Sequence, residues 1–233
     1  GKQAESEWVG VNVGIMDQLV SAAGKAGYAV RLDCRTLDYD YVAIPENVSF
    51  VVLDTMTRRE LSQSAYNTRH DEIKAASEGL GVPILRDANL LLLDEKKNLL
   101  SDTLYRRARH VISENERVHA FSSAMKDCDL RKMGSLINAS HASLRDDFEV
   151  SSEELNLIVE IAQNQPACLG ARMTGAGFGG CALAILENAH VADFIKQVTR
   201  AYHAETKIQP NIFKVESVDG VKVQKISEEV FVG

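Results

Sequence analysis

Ile15, Leu19, Ala22 and Ala23, with Met16 and Val20 flanking, recur at the spacing of one helix face, and Gly24 and Gly27 close the segment. A short helix starting near Gly14 is predicted. The period then shortens, and residues 28–34, 41–44 and 50–53 read as three β runs, the second stopped by Pro45, which cannot donate to a sheet ladder. Helical spacing resumes over 61–80, ending at Gly81, and again over 105–125 and 130–144, with arginines repeating among the apolar positions of the middle segment. Ser151-Ser152-Glu153-Glu154 reads as a capping box in which Ser151 accepts a backbone N–H and Glu154 reaches back, opening a helix to about residue 165. Beyond a glycine-rich loop, a strand over 181–186, a helix over 191–204 and two last strands near 212–215 and 221–223 are predicted. Strands kept apart from long helices define an α+β class. There is no internal repeat or low-complexity linker, and the domain seam is placed near 45–47, where β segments give way to helices.

Composition narrows the function classes. At 233 residues, 45% hydrophobic and 25% charged, the chain can build one large domain or two small ones and is neither disordered nor fibrous. The apolar runs Leu90 to Leu93 and Cys181 to Leu186 fall far short of the roughly 20 residues that span a bilayer. A net charge of −7 argues against nucleic acid and against a membrane surface as partners. Cys34, Cys128, Cys168 and Cys181 form no C-x-x-C pair, so reduced thiols in the cytoplasm are expected rather than a zinc site or a disulfide framework. Residues 1–8 are polar and charged, unlike a signal peptide, and the chain has no initiator Met, so its start is expected to lie within a longer reading frame.

Glycine is the first chemical signal. Gly170, Gly175, Gly177, Gly179 and Gly180 place five of the 15 glycines in 11 residues, where an even spread would give about 0.7. Without Cβ atoms, successive N–H groups can turn toward one anion, which favours phosphate or substrate proximity over a plain tight turn between a helix and a strand. The G-x-G-x-x-G within it, Gly175 to Gly180, is followed by a predicted strand rather than the helix a dinucleotide site needs. Arg145-Asp146-Asp147 is not a protein-kinase catalytic loop, because Ser151 and Ser152 stand where Asn is required; a helix end with a local ion pair explains it. Asp17 in the first turn of a helix reads by itself as a carboxylate at the positive end of the macrodipole. Arg58 and Arg59 follow a strand and could hold a carboxylate or phosphate or form a solvated edge. The six histidines, among them His110, His119 and His141, lack metal-ligand spacing, and no metal site on protein ligands is expected.

Four blocks in order carry a resemblance: Gly14-Ile15-Met16-Asp17-Gln18; Asp33-Cys34-Arg35-Thr36-Leu37; His141-x-Ser143-Leu144-Arg145-Asp146-Asp147-Phe148-Glu149-Val150-Ser151; and Arg172-Met173-Thr174-Gly175-Ala176-Gly177-Phe178-Gly179-Gly180-Cys181. Together they resemble the galactokinase family of GHMP small-molecule kinases, over residues 14 to about 223. The resemblance implies ATP-dependent phosphorylation of the anomeric hydroxyl of galactose. It makes Asp17 the catalytic base and Arg58 the neighbouring cation that keeps it ionised, Gly14, Asp17 and Tyr66 sugar contacts, and the loop of Gly175, Gly177, Gly179 and Gly180 a wall beside substrate and phosphates. It also implies ATP and Mg²⁺ as cofactors, bound mainly through an amino-terminal half whose G-E-H-x-D-type sugar motif and serine-rich phosphate loop are not among these residues. Ala176 stands where many members have Gly, a cost of about 1 kcal/mol if its φ is positive.

The expectation is therefore the carboxy-terminal part of a galactokinase. Residues 1–45 would be a remnant of the amino-terminal α/β domain bearing the catalytic helix, and residues 46–233 a ferredoxin-like α+β carboxy-terminal domain. Alone it should be inactive and, with apolar surface uncovered, self-associating. A sugar- and ATP-sensing relative without turnover, and a kinase for N-acetylgalactosamine or arabinose, are the alternatives.

Overall fold

The computed structural model describes residues 14–57 and 62–222, and the chain divides into two compact units, Gly1–Ile44 with Glu216–Gly233 and Pro45–Val215. The first seam lies beside the expected boundary at 45. The second departs from an uninterrupted 46–233 domain, because after Val215 the chain returns to the first unit. Backbone bonds explain the return: Gly220 N donates to Gly24 O at 2.8 Å and Val221 N to Ser21 O at 2.9 Å. Asp219 Oδ1 also accepts from Ala26 N, and Ser217 Oγ from Gly27 N, at 3.1 and 2.8 Å. Val221 and Lys222 consequently form no strand, contrary to the expectation for 221–223; residue 223 lies outside the described residues.

In the first unit, helix α1 (Met16–Ala23) leads into an antiparallel hairpin of β1 (Tyr28–Leu32) and β2 (Tyr39–Ala43), in register from Tyr28↔Ala43 to Leu32↔Tyr39. Its apolar content is thin. Val42 is the only buried hydrophobic residue described there, and α1 buries none of its side chains.

The second unit is built on one four-stranded antiparallel sheet, in the order β4 (Cys168–Met173), β5 (Cys181–Glu187), β3 (Val48–Asp54), β6 (Asn211–Val215). Between β3 and β4 run α2 (Ser62–Leu80), α3 (Leu90–Glu95), α4 (Asp102–Lys126), α5 (Leu130–Asp146) and α6 (Glu153–Gln163), and α7 (Val191–Thr206) joins β5 to β6. Counting only these strands, their spatial order is second, third, first, fourth, which is the ferredoxin-like arrangement. Alternate residues such as Val51, Leu53, Ala182 and Ala184 face a core completed by Leu155, Ile158 and Val159 of α6 and Phe194, Val198 and Tyr202 of α7. A smaller cluster, including Leu80, Leu93 and Ile112, binds α2, α3 and α4.

Three local readings change. Ser152, not Ser151, caps α6, its side chain accepting from Leu155 N, while Ser151 Oγ is buried without a partner. Leu90 to Leu93, an apolar run by sequence, forms α3, started by Asn89, whose side chain accepts from Leu92 N at 2.8 Å. Strand β4 was not foreseen. Its outer edge is sealed by α5, which approaches so closely that a Cβ on Gly134 would stand 1.9 Å from Leu169 O. There Asn138 Oδ1 accepts from Ala171 N, and Gln163 Nε2 donates to Ala171 O, each at 2.9 Å.

Candidate active site

The glycine loop, expected between a helix and a strand, connects β4 to β5 instead. Thr174 N donates to Cys181 O at 2.9 Å, closing the hairpin. Inside it Gly175, Gly177, Gly179 and Gly180 all have positive φ, as does Phe178 at 62°. The glycines are thus required by backbone conformation. At Gly177 space adds a second demand, since a Cβ would lie 2.2 Å from Val150 O. Ala176 is not among the positive-φ residues, so the Ala-for-Gly cost considered from sequence does not arise.

Two neighbours hold the loop. Phe178 N donates to Val150 O at 2.7 Å and Gly180 N to Thr57 O at 2.9 Å, while Gly180 O accepts from Thr55 N at 3.0 Å and from Thr55 Oγ1 at 2.7 Å. The amides of Gly175, Ala176, Gly177 and Gly179 have no acceptor among the described residues. Donors of this kind in a left-handed turn fit a phosphate oxygen or a sugar hydroxyl.

The Val150 side of this frame is fixed by buried charge. Arg107 is 2% exposed. Its Nε bonds Glu72 Oε2 at 2.7 Å and one terminal nitrogen bonds Glu149 Oε2 at 2.6 Å, while the other reaches Asp147 O. Arg69 adds bonds to Phe148 O at 2.7 Å and to Glu149 O at 3.2 Å, and Arg106 pairs with Glu149. Arginines of α2 and α4 therefore tie down residues 147–149, immediately before the carbonyl that receives the loop. Their recurrence in α4 was visible in the sequence, but their target was not. Arg145 and Asp146 form the local ion pair expected at the end of α5.

Of the residues implicated by resemblance, Gly14 and Asp17 belong to the first unit and are exposed; Asp17 lies in the first turn of α1. Tyr66, on α2 of the second unit, is 37% exposed. Arg58 and Arg59 lie outside the described residues, although Thr57, next to Arg58 in the chain, is bonded to the glycine loop. Among the described residues no group of three or more His, Cys, Asp or Glu side chains is gathered as metal ligands would be, and no helix is long and apolar enough to cross a membrane. None of the four cysteines is in a disulfide, and burial pushes the Cys168 thiol up to about 12.

His110 and His141 sit within this frame. His110 stacks on Phe148 with ring centroids 4.4 Å apart, and its Nδ1 lies 3.0 Å from Ser143 Oγ. His141 Nδ1 lies 3.3 Å from Met173 N. Burial pushes each imidazole down to about 4, so both rings are neutral near pH 7.

Residues 122–204, which include β4, β5 and the glycine hairpin between them, match the family model "GHMP kinases C terminal". That segment carries the carboxy-terminal domain of the GHMP kinases. Within that family the sequence of the chain is similar to galactokinases. It is 41% identical over 223 residues to a galactokinase of Roseiflexus sp. (strain RS-1), covering 94% of this chain and 57% of that protein. It is 45% identical over 210 residues to one from Clostridium perfringens, covering 87% of this chain and 54% of that protein. The crystal structure of Lactococcus lactis galactokinase complexed with galactose matches with a TM-score of 0.90 at 36% identity, over 94% of this chain and 58% of that one. L. major mevalonate kinase, at 18% identity and a TM-score of 0.50 over 84% of this chain and 50% of that one, shares the fold alone. The chain thus spans a little over half the length of the galactokinases it matches.

Proposed function

We propose that the protein to which this chain belongs is a galactokinase that transfers the γ-phosphoryl group of ATP to the C1 hydroxyl of galactose. The carrying observation is the match at a TM-score of 0.90 to a galactokinase that was crystallised with galactose. The C1 oxygen attacks the γ-phosphorus, the bond from that phosphorus to the β,γ-bridging oxygen breaks, and ADP leaves with that oxygen. Asp17 takes the C1 proton as general base. Arg58 takes the role of the cation that keeps the carboxylate ionised and offsets charge on the transferring group. Gly14 and Tyr66 contact the sugar, and the free amides of the glycine loop donate to substrate or phosphate oxygens. Mg²⁺ bound with the triphosphate supplies charge neutralisation; the described residues provide no carboxylate cluster for it, and the remainder of the kinase holds it. A cytoplasmic location accompanies this reading, supported by four cysteines of which none is in a disulfide.

ADP release by the full-length protein, measured with galactose, N-acetylgalactosamine or arabinose as acceptor, tests the proposal. Galactose-dependent turnover yielding the 1-phosphate is expected, with none from this chain alone. No turnover with galactose in the full-length protein, or turnover by the chain alone, would contradict it.

A further inference from the structure

Two of the sequence blocks that carry the family resemblance meet at one residue. Met173 is the last residue of β4, and it pairs with Ala182 at a position where its N–H and C=O point away from β5 toward the outer edge of the sheet, the side of α5. Both groups are taken up by side chains. His141, from α5, presents Nδ1 to Met173 N at 3.3 Å, and Arg172 folds back so that its Nε donates to Met173 O at 2.9 Å. The Arg172 fork is itself fixed, a terminal nitrogen bonding Glu114 Oε1 at 2.9 Å, and Glu114 is held by Arg117 at 2.6 Å and by Ser140 Oγ. Since a backbone N–H can only donate, His141 Nδ1 must be the unprotonated nitrogen, and the ring is the tautomer with its proton on Nε2.

We propose that His141 and Arg172 are positioning residues that clamp Met173 from both sides and thereby set the start of the glycine loop. The next residue, Thr174, closes the hairpin, and Gly175 begins the run of positive-φ glycines. A shift at Met173 is carried directly into the amides that the proposed function points at substrate. The ladder on the other side of β4 cannot substitute for the clamp, because Met173 makes no ladder bond there. Ala171, two residues earlier on the same edge, provides an internal control, being held by different side chains, Asn138 and Gln163.

Amide exchange in this chain, read residue by residue by NMR, tests the clamp without reference to activity. His141→Leu removes the acceptor and keeps bulk; His141→Asn keeps an oxygen near the place of Nδ1. Exchange of the Met173 amide and of the loop amides 175–179 is expected to speed up about tenfold or more in His141→Leu, with Ala171 unchanged and His141→Asn close to wild type. Arg172→Met is expected to reproduce the effect at the loop. Equal acceleration at Ala171 and Met173, or no acceleration at Met173, overturns the clamp. The catalytic consequence rests on the galactokinase reading: in the full-length protein His141→Leu should lower kcat about 10- to 100-fold with KM for galactose nearly unchanged. Should the wild-type full-length protein not phosphorylate galactose, that reading fails while the exchange measurement still decides the clamp.

Discussion

The two units hold their candidate chemistry in opposite ways. In Pro45–Val215 the glycine loop is bonded on both flanks, to Val150 and to the Thr55–Thr57 turn, and those supports rest in turn on a sheet core and a buried arginine network. In Gly1–Ile44 the proposed base, Asp17, rides on an eight-residue helix that buries nothing, in a unit whose described residues include one buried hydrophobic side chain. An isolated helix of that length is marginal in water. Packing within the second unit thus holds the glycine loop, whereas in the first unit the described residues bury no side chain of the helix that carries Asp17.

This contrast separates what substitutions should cost. The largest effect is expected at Asp17. In the full-length protein Asp17→Asn should lower kcat roughly 10²–10⁴-fold with KM for galactose little changed, while denaturant unfolding of this chain stays as in wild type. A fall in stability on that substitution would erase the contrast. Next is Arg107→Met, which removes the buried partner of Glu72 and Glu149 and the donor to Asp147 O, while Arg69 and Arg106 still pair with the two carboxylates; it should destabilise the second unit by about 2–3 kcal/mol, measured by urea unfolding. Loss below about 1 kcal/mol would show the network to be surface-like.

Acid should act on the same unit. The folded pKa values of His110 and His141, about 4, lie below the 6.5 of free imidazole, so the unfolded chain binds more protons between those values and stability falls as pH drops through that window. By pH 4 each buried ring should have cost about 3 kcal/mol. The groups facing them include Glu114, Arg117, Arg172 and Asp147 for His110, and Arg145, Arg172 and Asp146 for His141. Imidazole proton shifts in the folded chain should stay flat down to about pH 5; a midpoint near 6.5 for either ring would contradict its burial. The smallest effect distinguishes two glycines. Gly175→Ala meets only its positive φ of 77°, with no atom near the new Cβ, and should cost about 1 kcal/mol. Gly177→Ala adds the collision with Val150 O and should cost more and release Phe178 N, visible as faster exchange of that amide.

Much of this frame was legible in the sequence. Long amphipathic helices ended where glycines or caps stopped them, and β3 showed as the short apolar run Phe50 to Leu53. Strand β4 was hidden for a physical reason. Leu169-Gly170-Ala171-Arg172 lacks the alternation of a half-buried strand because Gly170 is there to let α5 approach and Arg172 turns back to bond the backbone. The cap at Ser152 rather than Ser151 was a choice between two equivalent residues that only the entry angle of the chain decides. The glycine loop announced itself by composition, and its neighbours did not, because Val150, Thr55 and Thr57 contribute backbone carbonyls or a common hydroxyl. Asp17 was read as a helix-end carboxylate by chemistry and as a base only by resemblance, and its exposure in the first turn of α1 agrees with the former as well as with the latter.

Amide exchange of the unmodified chain compares the two units most directly. Phe178 and Gly180, held by the carbonyls of Val150 and Thr57, should exchange slowly, through openings close to global unfolding of the second unit. The amides of Leu19 and Val20 in α1 should exchange through local opening, on the order of 10²-fold faster or more. Equal protection of α1 and the glycine loop would contradict the account, since the helix bearing the proposed base would then be held by this chain as firmly as the loop.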